Sequence, residues 1–276
     1  MIFFRVFLFK RSIFILLNCF LLFSCGRLDK VITPGDSAPK KEIDVTTIPN
    51  AVPKSEPKSR YGNPASYVVF GKRYYVMDSS KGYAEKGIAS WYGTKFHGRR
   101  TSSGETYDMY AMTAAHKTLP LPTYVRVTNL NNNKFVILKV NDRGPFHENR
   151  IVDLSYTAAI KLDIIKNGTG LVEVRAIEPG ITPDNILSED NTEKTFTQST
   201  VFYIQVGTFS KLENAEILKR KLKSFGDNLI KISSVIISDE TLYRVRIGPL
   251  KDTKLSDSIV SKLSSFGIFE HRIVTN

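Results

Sequence analysis

The sequence predicts a mainly β protein with an added α+β module: a small closed β-barrel followed by a ferredoxin-like βαβ-βαβ sheet. Three observations point there. Short apolar runs with period-two alternation crowd residues 87–177 around a single short helical pattern. Beyond residue 200 a strand-and-helix pattern repeats at an offset of 41 residues. Polar, proline-containing stretches at 26–60 and 179–199 fence off these two regions.

At 276 residues and 42% hydrophobic composition, the chain is long enough for two domains and too apolar for wholesale disorder. Its formal charge of +12 is spread along the chain, so no Lys/Arg block marks a nucleic-acid partner. Two cysteines exclude a disulfide scaffold and a cysteine zinc cluster. The four histidines, His97, His116, His147 and His271, show no metal-ligand spacing, so neither a metal nor another cofactor is expected.

In chain order, Arg5, Lys10 and Arg11 precede the apolar run Ser12–Phe23, too short to span a membrane comfortably. The run ends at Leu22-Phe23-Ser24-Cys25-Gly26, which resembles a bacterial lipoprotein box. Residues 1–25 are therefore expected to be a lipoprotein signal peptide, with Cys25 as the lipidated, palmitate-bearing residue. An uncleaved anchor helix is the other reading, and both export the rest of the chain. Arg27, which is not acidic, is compatible with the outer membrane rather than the inner, facing the periplasm. Residues 26–60, with five prolines and no periodicity, read as a flexible tether.

Residues 61–178 form the expected barrel. Its strands are Gly87–Gly93, Tyr110–Ala115, Thr123–Asn129, Phe135–Asn141 and Leu171–Ile177, and Ser155 caps a helix running to Ile164. Residues 179–199 read as a linker, and residues 200–276 as the second module. There Val201–Phe209 matches Leu242–Leu250, and Lys221–Gly226 matches Lys262–Gly267. Leu212, Ala215, Leu218, Leu222 and Phe225 make a helical stripe stopped by a left-handed Gly226. Alternation turns Ile204, Val206, Val245 and Ile247 towards the helices. It leaves Tyr203, Gln205, Arg244 and Arg246 on the open sheet face. Such a face suits a flat polar ligand, polysaccharide or nucleic acid, although base stacking would want paired aromatics.

The candidate chemistry lies in the barrel. Asp142 ends an apolar strand in Asn141-Asp142-Arg143-Gly144-Pro145, where a half-buried carboxylate could act as a general acid; a simple turn with an ion pair also fits. Glu105 fits a solvated loop acid as well as a second carboxylate. His116 fits a hydrogen-bonded structural histidine as well as a catalyst. Trp91 and Tyr92 could stack a sugar ring or fill the barrel. Ser90 and His97 lack the acid and the nucleophile elbow of a hydrolase triad.

Two resemblances sharpen this reading. Tyr203–Phe209 and Tyr243–Pro249 resemble the sporulation-related repeat (SPOR) domain, which implies binding of peptidoglycan glycan strands lacking stem peptides. Ala89–Gly93, Thr101–Glu105, Ala114–His116 and Asn141–Pro145, in that order, resemble the rare lipoprotein A (RlpA) family of septal ring lytic transglycosylases. That resemblance implies a six-stranded double-psi β-barrel, with Asp142, Glu105 and His116 as catalytic residues. Trp91, Tyr92, His97 and Arg143 would bind substrate in the barrel, and Tyr203, Gln205, Arg244 and Arg246 would grip glycan. It also implies endolytic cleavage of the MurNAc-GlcNAc bond to 1,6-anhydro ends. Cell wall organisation and daughter-cell separation would follow, with division-site envelope proteins as further partners. A non-catalytic glycan-binding envelope scaffold is the competing class, and nucleic acid is not expected as a partner.

Overall fold

The computed structural model describes residues 36–40, 43–178 and 200–275. The expected signal peptide, Cys25 and the 179–199 linker lie outside the described residues. Residues from Asp36 onward form one compact unit containing both modules.

A hairpin of β1 (Ser66–Val69) and β2 (Lys72–Tyr75) precedes the barrel. The barrel strands are β3 (Ala84–Trp91), β4 (Thr113–His116), β5 (Thr123–Asn129), β6 (Phe135–Asp142), β7 (Arg150–Leu154) and β8 (Gly170–Ala176). They close in the order β3-β7-β4-β6-β5-β8, with β3–β7 and β4–β6 parallel. The six-stranded closed barrel is therefore as expected. Strand β7 was not legible, because five residues with three apolar ones carry too little alternation. Alternation along the strands fills the lumen with Ala89, Val125, Val127, Val136, Leu138, Val140, Val152, Leu154, Val172 and Val174, all 1% exposed or less. Burying each of the larger side chains contributes about 1.5–3 kcal/mol. Helix α1 (Tyr156–Lys161) starts at Ser155, whose hydroxyl accepts the Ala158 amide at 3.3 Å. Ala158, Ala159 and Leu162 join the same core.

The second module runs β9 (Phe202–Phe209), α2 (Leu212–Lys221), β10 (Ile230–Ile237), β11 (Glu240–Leu250), α3 (Thr253–Leu263) and β12 (Arg272–Thr275). Its sheet order is β10-β11-β9-β12, the arrangement expected of a βαβ-βαβ repeat. Ile204, Val245 and Ile247 are fully buried, together with Ala215, Leu222 and Leu263 from the helices. Gly267 supplies a left-handed stop at φ 71°. Gly226 does not, since its φ of 110° and ψ of 120° lead directly into another turn.

The tether expectation needs correction over residues 43–60. Ala51 donates its amide to the Ile137 carbonyl at 3.0 Å, and Asn50 Oδ1 accepts from the Ile137 amide. Pro53 is buried and Ile48 packs on the barrel core. Prolines and polar residues prevent this strap from forming a regular element. They leave its remaining backbone groups free to pair with the barrel wall.

Candidate functional site

Asp142 stands at the C-terminal end of β6, half-buried. Its Oδ1 accepts three hydrogen bonds, from the Ser102 amide, the Ser102 hydroxyl and the Arg143 amide, each at 2.7 Å. Three donors on one oxygen fix the rotamer, and among the described residues none is found on Oδ2. The two Ser102 donors come from the tight turn at 101–105, where the Thr101 amide meets the Glu105 carbonyl and Gly104 adopts φ 95°. The Ser103 amide bonds to the Asn141 carbonyl at 3.1 Å and ties that turn to β6.

The same turn delivers Glu105 beside this strand end. Its Oε1 lies 2.9 Å from Lys139 Nζ, and its Oε2 accepts from Asn141 Nδ2 at 2.6 Å. Lys139 also meets Glu56 of the strap at 2.9 Å, and Glu56 in turn takes the Tyr124 hydroxyl. Burial works against the Lys139 ammonium, but its bonds to Glu105 and Glu56 outweigh that and hold its pKa above the ordinary lysine value. The structure thus brings Asp142 and Glu105 to one strand-end corner, with Glu105 clamped and partly exposed.

His116 is not part of this pair. It is 3% exposed, and its Nδ1 accepts the Thr118 and Leu119 amides at 3.2 and 3.0 Å. Nε2 therefore carries the proton and donates to the Tyr83 hydroxyl at 2.8 Å, which donates in turn to Glu85 at 2.5 Å. Burial, then the positive charge of Arg143, pushes the imidazole pKa down to about 3, so it is neutral at physiological pH. Both ring nitrogens of His116 are thus hydrogen-bonded, Nδ1 to the turn after β4 and Nε2 to Tyr83, and the structure holds the ring apart from the Asp142–Glu105 corner.

Two of the expected substrate contacts, Arg143 and Tyr92, are turned to other partners. Arg143 directs its guanidinium at the carbonyls of Gly62, His116 and Leu119, with a further contact to Asn63, so it pins distant loops together. Tyr92 is 7% exposed and stacked on Tyr107 at 4.0 Å, inside the wall. Trp91 is partly buried, edge-on to Tyr156 at 5.9 Å. His97 does remain exposed, its Nδ1 accepting the Met109 amide at 3.2 Å.

Strand pairing in the second module assembles a row of side chains across its sheet. Lys231 pairs with Arg246, Arg246 with Gln205, and Gln205 with Arg272. Arg244 lies opposite Thr208 one step away, and Arg246 Nε donates to Gln205 Oε1 at 3.3 Å. Burial first, then the charges of Arg244 and Arg272, lowers the Arg246 pKa. Like charges opposed in this way destabilise a sheet until an anion arrives. Tyr203 departs from the expectation. It is 9% exposed, and a Cβ at Gly248 would fall 2.7 Å from its ring, so the ring offers little free surface. Arg272 and Lys231, both exposed, stand in the row instead, and register alone reveals them.

The sequence reading also passes over Ser102, Lys139 and Asp153. The repeated hydroxyls of Thr101-Ser102-Ser103 are a usable signal for the first. Among the described residues, no three His, Cys, Asp or Glu side chains gather as a metal site would require.

Together these features define a double-psi barrel of lytic transglycosylase type joined to a glycan-binding SPOR module. Residues 84–174 match the family model described as lytic transglycolase, and residues 198–269 match the SPOR domain. The chain is 40% identical over 264 residues to a Pseudomonas aeruginosa protein named endolytic peptidoglycan transglycosylase RlpA, covering 78% of this chain and 77% of that one. A Vibrio cholerae protein of the same name is 40% identical over 263 residues, covering 95% and 94%. Among solved structures, the RlpA SPOR domain of Pseudomonas aeruginosa aligns at 30% identity with a TM-score of 0.25, covering 26% of this chain and 96% of that one. The chain belongs to the RlpA family of endolytic peptidoglycan transglycosylases.

Proposed function

We propose that this protein cleaves the MurNAc-GlcNAc bond inside peptide-stripped glycan strands and leaves 1,6-anhydro ends. Its SPOR sheet holds the same strand. One observation carries the reading: Asp142 is held rigidly by Ser102 and Arg143 at a strand-end corner that it shares with Glu105. Cleavage to an anhydro end needs proton transfer at the bridging oxygen and at the sugar's own C6 hydroxyl. No attacking water is required, so the two-carboxylate spacing rules of hydrolases are relaxed. Asp142 serves that proton traffic, while Glu105, set by Lys139 and Asn141, orients the sugar or stabilises positive charge at C1.

Preference for stripped strands is supported by the guanidinium row. Removing the stem peptide frees a lactyl carboxylate on each muramic residue, an anion suited to Arg246, Arg272 and Lys231. A lipid on Cys25 would anchor the protein to the outer membrane, facing the periplasm, for wall organisation and daughter-cell separation. Digestion of amidase-treated sacculi by wild type and Asp142→Asn, with mass analysis of products, tests the reading. Anhydro-ended oligosaccharides from wild type alone support it. Glycan binding without products from either protein selects the scaffold function.

A further inference from the structure

Strand register gathers a set of side chains that the reading above leaves unused. Ala115 on β4 pairs with Asp142 of β6 on one side and with Asp153 of β7 on the other. Asp153 pairs in turn with Ser90 of β3. Ser90, Asp153, Ala115 and Asp142 therefore form one row across four neighbouring strands. The flanking Val152 and Leu154 fill the lumen, so alternation turns Asp153 outward. A register shift in the β4–β6 ladder falls between Ala114 and Ala115, the kind of irregularity that re-aims a side chain. Both carboxylates lie within electrostatic reach of the stacked Tyr92–Tyr107 pair, whose hydroxyl pKa values are raised by burial first and by these charges in addition.

The space between the two acids is kept small and low. With strands about 4.8 Å apart, their backbones stand roughly 10 Å from each other across one methyl group. Gly144, at φ 138°, closes one side: a Cβ there would come 3.8 Å from Ala115 Cβ and 3.9 Å from Asp153 Oδ2. The Ser90 hydroxyl donates to Asp153 Oδ1. Burial raises the Asp153 pKa, opposed by the Ser90 bond and by Arg150 and Lys117, and the charge of Asp36 adds to the rise. A carboxyl whose pKa is raised by burial, two strands from a carboxylate oxygen that accepts three hydrogen bonds, is the kind of pairing that acid-base cleavage uses.

We infer that Asp153 is the proton donor of the cleavage and Asp142 the acceptor, the two flanking the scissile bridge above Ala115. This rests on the transglycosylase reading and divides its proton traffic between two groups. The Asp153 hydroxyl gives its proton to the bridging oxygen as the C1–O bond breaks and the bonding pair stays on that oxygen. The C6 oxygen of the same sugar forms the new bond to C1, and its proton passes to Asp142. One proton leaves Asp153, one arrives on Asp142, no water is consumed, and exchange with solvent resets the pair.

Asp153→Asn keeps the shape and can still accept from Ser90. Its rate of anhydro-end release from amidase-treated sacculi should fall about 10²–10⁴-fold, with glycan binding and thermal midpoint unchanged. Release within about threefold of wild type would overturn the assignment. Should Asp153→Asn fail to fold, Ser90→Ala decides. Losing the bond that favours the ionised carboxylate should move the alkaline limb of the pH–rate profile to higher pH, and an unmoved limb overturns the proposal. Wild type releasing no anhydro ends would defeat the transglycosylase reading itself, whereas full activity of the variant defeats only the assignment to Asp153.

Discussion

The barrel and the SPOR sheet both use a row of side chains laid across four strands, and they use it for opposite ends. On the barrel the row is Ser90, Asp153, Ala115 and Asp142, partly sunk between stacked tyrosines and the Gly144 turn. On the SPOR sheet it is Lys231, Arg246, Gln205 and Arg272, open at both ends. Burial perturbs a carboxyl enough to make it an acid-base reagent, and each site needs only one or two such groups. Guanidinium groups stay charged even when half-buried, as Arg246 is, and a row of them suits capture of a repeating anionic polymer. Proximity to glycan is therefore built twice, once for chemistry and once for grip.

The comparison can be broken one side at a time. The largest effect is expected from Asp142→Asn, which should lower anhydro-end release by about 10²–10⁴-fold while leaving glycan co-sedimentation intact. Replacing Arg246 and Arg272 together with alanine should do the reverse. Binding to stripped glycan should weaken by about a hundredfold or more, at about 1.5–3 kcal/mol for each of the two bonds to a charged group, with little change in turnover on saturating soluble oligosaccharide. Glu105→Gln keeps the Asn141 contact but loses the charge facing Lys139. A modest decline in turnover, about tenfold, is expected at an unchanged thermal midpoint, because so exposed an ion pair contributes about 0–1 kcal/mol.

His116 offers the mildest perturbation, and a pH signature distinguishes it from a catalyst. Its native pKa of about 3 lies below the ordinary 6.5, so the unfolded chain binds the extra proton between those values. Its contribution is present above pH 6.5 and drains away on acidification, at about 1.4 kcal/mol per pH unit. His116→Gln should be less stable at pH 7.5 yet show a flatter loss between pH 6.5 and 5, read from denaturant midpoints. His147 and His271, whose pKa values are also lowered by burial, supply the remaining slope.

What the sequence revealed divides along the range of the interactions involved. The alternation of Val136, Leu138 and Val140 and the 41-residue repeat are pattern signals, and they placed five of the six barrel strands and the strands of the second module. Asp142 and Glu105 were legible as candidates from a strand-end Asp-Arg-Gly-Pro corner and a hydroxyl-rich glycine turn, although the Ser102 donors that fix Asp142 lie 40 residues from it. The roles of His116 and Arg143 were not, because they are set by partners such as Tyr83 and Gly62, brought in from more than 30 residues away. Asp153 escaped notice because β7 is too short to show its period, and its meaning comes from pairing with Ala115. The strap at 43–60 reads as linker by composition, yet a sheet wall with available carbonyls gives it a partner.

The most direct test of bond cleavage by internal closure is digestion of stripped sacculi in water enriched in heavy oxygen, with mass spectrometry of the released ends. Wild type should yield unlabelled anhydro termini, and Asp142→Asn should yield none. Labelled reducing ends from wild type, or undiminished release by Asp142→Asn, would contradict a corner in which two aspartates pass protons around a sugar's own hydroxyl.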